Sequence, residues 1–353
     1  MPEYMPKEIA DQLIETLTQH GLIPPSEIIT DGVIRCIPTT HRPNKKKGSL
    51  AVYSHNDGTY GAWFSNWHLG IAKQSWHSGS PPKTINYAEL EAIRQRVQAE
   101  RELRNALQMK VYEENRLRAV DLWQKAKDAD YHPYLTRKNI AANGAKLIHG
   151  RVLLPKKDGI GKNAFYNVLI IPMRDSQMTL RDIQLITPEG DKVFQAGGRL
   201  KGLYQSIGRI KDRSKPILIA ESFSTSATIH EATQLPVANV FSWAGLEEVG
   251  KQLRRKFPTT PLVYCADDDW LVKTPAGQPN NVGVMKAEQA AVKTGGSVIV
   301  PKFGNDRGEG DTDFNDVAKL YGQTAVSKQF ADFFETQAEQ APKKKFNSGG
   351  FRP

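Results

Sequence analysis

From residue 215 to residue 320 the chain alternates short apolar runs with segments of helical length, and this rhythm restricts its fold more than any other feature. Residues 216–220, 237–241, 262–266 and 297–300 are apolar runs of strand length. Residues 223–233, 246–257, 283–294 and 314–320 follow them in turn with helical length and pattern. Strands that alternate with helices of this size predict a parallel sheet joined by right-handed crossovers.

Open parallel sheets gather their functional groups at the carboxyl ends of their strands. Carboxylates fall there in this chain. Glu221 directly follows ILIA, Asp267, Asp268 and Asp269 follow LVYCA, and Asp311, Asp313 and Asp316 follow SVIVP and a glycine-rich loop. Like charges gathered on one edge repel, and a cation relieves the cost. Oxygen ligands without Cys or His suit Mg²⁺ or Mn²⁺, and paired ions of this kind serve phosphoryl chemistry. Each acid taken alone has a plainer explanation. Asp267–Asp269 is also what a loop contains, and Asp313 or Asn315 is also a helix cap. Agreement among three strand ends is what favours a metal site.

Upstream of residue 215 the pattern is different. Residues 6–21 predict an amphipathic helix, with Ile9, Leu13, Ile14 and Leu17 on one face. Apolar runs around Ile37 and Leu50, the turn Asn56-Asp57-Gly58 and the aromatic run to Trp76 predict a small antiparallel sheet. The Ser/Gly/Pro-rich stretch around residues 77–83 reads as a linker, and 85–129 as a long charged helix ended by His132-Pro133. Residues 133–212 read as α+β. The tail from residue 342, basic and rich in Gly, Ser and Pro, reads as disordered. The expected division is therefore 1–80, 81–130, 131–212, 213–325 and 326–353.

The net charge is +10, which favours a polyanionic partner such as nucleic acid. Two distant cysteines, Cys36 and Cys265, make neither a disulfide framework nor a zinc knuckle, so no zinc is expected. No apolar leader and no membrane-length apolar stretch is visible, and the expected location is the cytoplasm. No phosphate-binding loop of the helicase type occurs, since GIGKNAF has the wrong spacing.

The segments ILIAESFSTSATIHEATQLPV, YCADDDW, NVGVMKAEQAAVKTGG and GDTDFNDVAKLYG resemble the Toprim domain of plasmid and phage DNA primases, relatives of the bacterial DnaG-like primases. The resemblance covers about residues 215–322. HPYLTRKNI and the stretch RVLLP…NVLIIPMRD…LKGLYQSIG resemble the basic half of the primase core, and GLIPPSEIITDGVIRC…YGAWFSNWHLGIAKQSW resembles the leading domain of such primases. The resemblance implies an α/β chain. A Toprim-type parallel sheet flanked by helices would follow a basic α+β subdomain and a small, mostly β N-terminal domain without zinc.

On that resemblance Glu221, Asp267 and Asp269 are the catalytic carboxylates. The same three with Asp313 and Asp316 hold Mg²⁺ or Mn²⁺. Arg137, Arg174, Arg199, Lys201 and Arg209 contact nucleotide and template. In the leading domain Arg42, Lys45, Lys46 and Lys47 beside Trp63 and Trp67 suit single-stranded DNA, by phosphate neutralisation and base stacking; a solvated loop beside a tryptophan core accounts for the same residues. The implied activity is synthesis of short RNA primers on single-stranded DNA from ribonucleoside triphosphates, with no membrane partner. A separate replicative helicase or single-strand-binding protein would be a further partner. A Toprim nuclease, or a non-catalytic single-strand-binding accessory protein, remains open at this point.

Overall fold

A computed structural model describes residues 4–55, 57–79, 87–157, 160–210, 212–274 and 277–340. The linker expected around residue 80 and the tail expected from residue 342 fall largely or wholly outside these residues. Two compact units are present. One comprises Met1–Glu113 with Asp268–Lys286, the other Glu114–Asp267 with Ala287–Pro353.

The first unit opens with helix α1 (Lys7–Gln19), followed by strands β1 (Arg35–Ile37), β2 (Gly48–Ser54), β3 (Tyr60–Asn66) and β4 (Ile71–His77). The strands form an antiparallel meander in chain order, with Leu50 opposite Phe64 and Ala62 opposite Trp76. Leu13 and Leu17 of α1 are fully buried with Ile37, Leu50, Val52 and Phe64. Burying a side chain of this size contributes about 1.5–3 kcal/mol, so the helical spacing of these leucines is what fastens α1 to the sheet. Helix α2 (Tyr87–Lys125) follows as one element of 39 residues.

The second unit contains two five-stranded sheets. The first is antiparallel, in the order β5 (Lys127–Asp128), β6 (Lys146–Pro155), β7 (Lys162–Arg174), β8 (Leu180–Ile186) and β9 (Lys192–Phe194), with helix α3 (Pro133–Lys138) between β5 and β6. Strand β7 is buried on both faces. Leu169 and Ile171 join one core, while Val168 and Ile170 join the other beside Trp123 of α2. The period of two along a strand explains this split, and the continuous apolar run VLII is its trace in the sequence.

The second sheet has the order β10 (Gln205–Ile207), β12 (Val237–Asn239), β11 (Ile217–Ala220), β13 (Leu262–Cys265) and β14 (Ser297–Ile299). Helices α4 (Phe223–Thr233), α5 (Trp243–Lys256) and α6 (Val282–Thr294) connect its strands, and α7 (Phe314–Tyr321) and α8 (Gln323–Gln340) close the unit. Strands β12, β11, β13 and β14 are parallel, as the rhythm predicts; β10 adds an antiparallel edge. Leu169 and Ile171 share a core with Leu218, Val263, Phe223, Phe314 and Phe330, so the two sheets and α4, α7 and α8 form one body.

Tyr264 of β13 shows how tightly the parallel sheet is covered. Its ring is fully buried, and its hydroxyl lies 2.8 Å from Thr294 Oγ1 at the end of α6. Gly250 of α5 leaves the room for it, since a Cβ there would overlap Tyr264 Oη. Gly250→Ala is therefore expected to destabilise the protein by about 1–3 kcal/mol through overpacking. Urea unfolding measures this, and an unchanged midpoint would mean that the ring shifts freely.

Candidate active site

The acids at the sheet edge are placed by short local rules. Ala220 of β11 lies opposite Cys265 of β13 in parallel register. Glu221 therefore leaves one of two adjacent central strands and Asp267 the other, and both side chains are half-buried. Ser222 caps α4 by accepting the Thr225 N–H at 3.3 Å, which turns the chain sharply after Glu221.

Asp313 and Asp316 form a capping box on α7. Asp313 Oδ1 accepts the N–H groups of Asn315 (2.7 Å) and Asp316 (3.0 Å), and Asp316 Oδ2 accepts those of Thr312 (2.9 Å) and Asp313 (3.2 Å). The helix-cap explanation weighed for Asp313 thus describes a real role of that side chain. The other oxygen of Asp313 accepts the hydroxyl of Thr225 at 2.8 Å, tying α7 to the first turn of α4 beside Glu221. Asn315 adds bonds to Lys138 O (2.8 Å) and Thr228 Oγ1 (2.9 Å). Burial and the neighbouring Asp313 charge raise the Asp316 carboxyl above the usual carboxylate range.

One functional candidate was not visible in the sequence. The ammonium of Lys192, at the start of β9, stands within electrostatic reach of Asp313, Asp267 and Glu221, with Lys138 nearby. Its crowded surroundings push its pKa down, and the three carboxylates push back. Lys192 nevertheless keeps solvent exposure. Nothing in the local sequence separates it from the other 47 Lys and Arg residues; only the pairing of β9 with β8 brings it to the acids.

The donor set of Glu221, Asp267, Asp313 and Asp316 is all oxygen and fits a hard divalent cation by its chemistry. Among the described residues, no group of three or more His, Cys, Asp or Glu side chains is gathered closely enough to hold a metal ion as it stands.

Asp269 lies in the other compact unit. Its Oδ2 accepts the Gly283 N–H at 3.0 Å at the start of α6, and its own N–H donates to Asn281 Oδ1 at 3.0 Å. Burial raises its carboxyl, the Asp268 charge adds to this, and Gly283 and Arg42 oppose it. Arg42, Lys45, Lys46 and Lys47 are exposed. Arg42 and Lys47, with His41, also depress the partly buried His68, second to its burial. Trp67 is 42% exposed, and its N–H donates to Lys47 O at 3.0 Å. Trp63 is half-buried, with its Nε1 2.8 Å from Tyr53 Oη and Lys73 above its ring.

The basic candidates of the middle region divide by what holds them. Arg137, Arg174 and Arg199 each give a guanidinium N–H to a main-chain carbonyl, of Pro188, Met178 and Lys201 respectively. Arg174 also lies over the Trp123 ring, and burial lowers its pKa. Lys201 and Arg209 are exposed beside Gly202 and Gly208, both at positive φ.

A parallel sheet with carboxylates just past two adjacent strands thus shares one core with an antiparallel sheet. Comparison with known proteins finds the chain similar to DNA primases. It is 27% identical over 303 residues to a DNA primase TraC of Escherichia coli, an alignment covering 83% of this chain and 26% of that protein. A second E. coli DNA primase TraC is 30% identical over 174 residues, covering 48% of this chain and 11% of the relative. The chain thus spans about a quarter or less of the curated relatives it matches. Among solved structures, a DNA primase domain from Pseudomonas aeruginosa aligns over 63% of this chain and 82% of its own, with 16% identity and a TM-score of 0.43. The RNA polymerase domain of Mycobacterium tuberculosis primase DnaG aligns over 59% and 79%, with 17% identity and a TM-score of 0.37. No protein-family profile matches the chain. No described helix is long and apolar enough to cross a membrane.

Proposed function

We propose that this chain is a DNA primase, a DNA-directed RNA polymerase that makes short RNA primers on single-stranded DNA in the replication of a mobile element. The observation that carries the reading is the position of Glu221 and Asp267 just past two adjacent parallel strands, with Asp313 tied to the first turn of α4 beside Glu221. Similarity to DNA primases across 83% of the chain supports it.

In this reaction the 3′ oxygen of the growing strand bonds to the α-phosphorus of an incoming ribonucleoside triphosphate. The bond to the leaving pyrophosphate breaks, and the attacking hydroxyl loses its proton. Asp267 and Glu221 are the carboxylates that would hold Mg²⁺ or Mn²⁺, with Asp269 added by the Asp-x-Asp spacing and Asp313 and Asp316 from α7. When bound, such a cation neutralises charge on the attacking and leaving oxygens. Glu221, directly after β11, would take the hydroxyl proton or help hold the cation. Lys192 offers an ammonium for triphosphate oxygens beside these acids. Lys201 and Arg209, on glycine-flanked backbone, offer further phosphate contacts to nucleotide and template, together with Arg137, Arg174 and Arg199. In the leading unit Arg42, Lys45, Lys46, Lys47 and the exposed Trp67 suit a single strand, with Trp63 partly available.

The test is incubation with single-stranded DNA, labelled ribonucleoside triphosphates and Mg²⁺ or Mn²⁺, resolved on a denaturing gel. Short RNA products are expected, and a chelator should remove them. Shortened DNA would make the chain a nuclease instead, and binding without either product would make it an accessory protein.

A further inference from the structure

Residues Asp268–Lys286 are compact with the leading unit rather than with the strands that flank them in sequence. The attachment is specific. Asn280 Nδ2 donates to Leu69 O at 3.1 Å, across 211 positions of chain. Gly70, immediately before β4, sits at φ +63°, and a Cβ there would lie 2.8 Å from Val282 Cγ1 and 3.3 Å from Met285 Cε. The first turn of α6 therefore rests directly on the turn between β3 and β4.

Inside the segment, the contacts lead to Asp269. Asn281 Oδ1 accepts the N–H groups of Asp269 (3.0 Å) and Val284 (3.3 Å), and Asn281 Nδ2 donates to Asp268. The Gly283 N–H then holds Asp269 Oδ2 at 3.0 Å. Asn280, Asn281, Val282 and Gly283 are consecutive. Whatever fixes Asn280 and Val282 thus fixes the two groups that aim the Asp269 carboxylate. The Arg42 charge, from the loop before β2, bears on the same carboxylate.

We propose that the leading β-sheet is the positioning scaffold of Asp269: Leu69 and Gly70 seat Asn280 and the start of α6, and through Asn281 and Gly283 they set the direction of the second carboxylate in the Asp-x-Asp pair. The proposal rests on the reading of Asp269 as a cation-holding carboxylate. It gives the leading domain a role in the chemical step that is separate from any grip on DNA. Asn280, Asn281 and Gly70 are positioning residues, and none is assigned a contact with substrate.

The experiment compares the full chain with Asn280→Ala by amide hydrogen exchange and by steady-state synthesis. Loss of one hydrogen bond should speed exchange across residues 268–286 about fivefold, with β2, β3 and β11 unchanged. Synthesis should show kcat reduced about tenfold through misplacement of one carboxylate. KM for nucleotide and affinity for single-stranded DNA should hold. Gln278→Ala, exposed in the same loop, should change neither. Gly70→Ala should act in the same direction and more strongly, because its Cβ meets Val282. Adding Val282→Ala should restore part of kcat by removing the methyl group in the way. Unchanged exchange in both Asn280→Ala and Gly70→Ala overturns the proposal, as does a loss seen only in DNA affinity or KM. If the parent chain makes no primers, the functional reading fails, while the exchange measurement still decides whether the sheet holds the loop.

Discussion

Asp267→Asn is expected to lower primer synthesis by about 10³-fold, corresponding to several kcal/mol of lost transition-state stabilisation. Asp267 follows β13 at the centre of the parallel sheet, next to the strand that delivers Glu221, and Lys192 answers its charge. The amide has the shape of the carboxylate but not its charge. It should leave the fold intact, since removing one of several like charges relieves repulsion among the rest. Binding of single-stranded DNA should hold within a few-fold, because Asp267 is not among the basic and aromatic groups offered for it. The measurements are a denaturing gel for product, thermal melting for stability and anisotropy for DNA. Full synthesis by Asp267→Asn would remove this residue from the catalytic set and leave Glu221 and Asp313 as the acids to examine.

Alternate residues of an extended segment point oppositely, which by itself would make Asp268 an internal control for Asp267 and Asp269. Its bond with Asn281 changes that expectation. Asp268→Ala removes an anchor of the loop that carries Asp269, so it should resemble Asn280→Ala, with reduced kcat, rather than the parent.

The positions of Glu221 and Asp267 just past two strands were legible because a strand end can be found from a run of apolar residues followed by an acid. The parallel order was legible for the same reason, since ILIA, VAN and LVYC each precede a helix. Two features were hidden by distance along the chain. The edge strand β10 comes from the preceding region and joins β12 antiparallel, over a three-residue pairing too short to register as a pattern. The contact of Asn280 with Leu69 joins positions that no local rule relates. For Asp313 the sequence permitted both a cap and a metal role, and for Asp316 it suggested only the metal role. The capping box shows that their oxygens already serve α7, so any cation there must share them with backbone N–H groups.

Lys192→Met should alter the response to metal as well as the reaction. In the parent the Lys192 ammonium offsets the charges of Asp313, Asp267 and Glu221. Methionine keeps the length of the side chain and removes the charge, so without metal the carboxylates repel one another with less compensation. The metal-free melting temperature should fall only slightly, because water screens an exposed ammonium. Divalent cation should then give a larger stabilising shift than in the parent, because it now neutralises charge that Lys192 had partly covered. The reaction should respond the other way. If the ammonium also pairs with triphosphate oxygens, synthesis at saturating cation stays reduced, with KM for nucleotide raised about tenfold, the loss of one charge-assisted contact. Lys192→Arg separates the two effects. It keeps the charge and should keep the metal response of the parent, but its planar fork differs from a compact ammonium and should recover KM only in part. Melting curves across a Mg²⁺ series and nucleotide titrations check both. If Lys192→Met melts like the parent at every metal concentration and binds nucleotide equally well, Lys192 is a solvated surface lysine, and the electrostatics of the acidic edge rest on the cation alone.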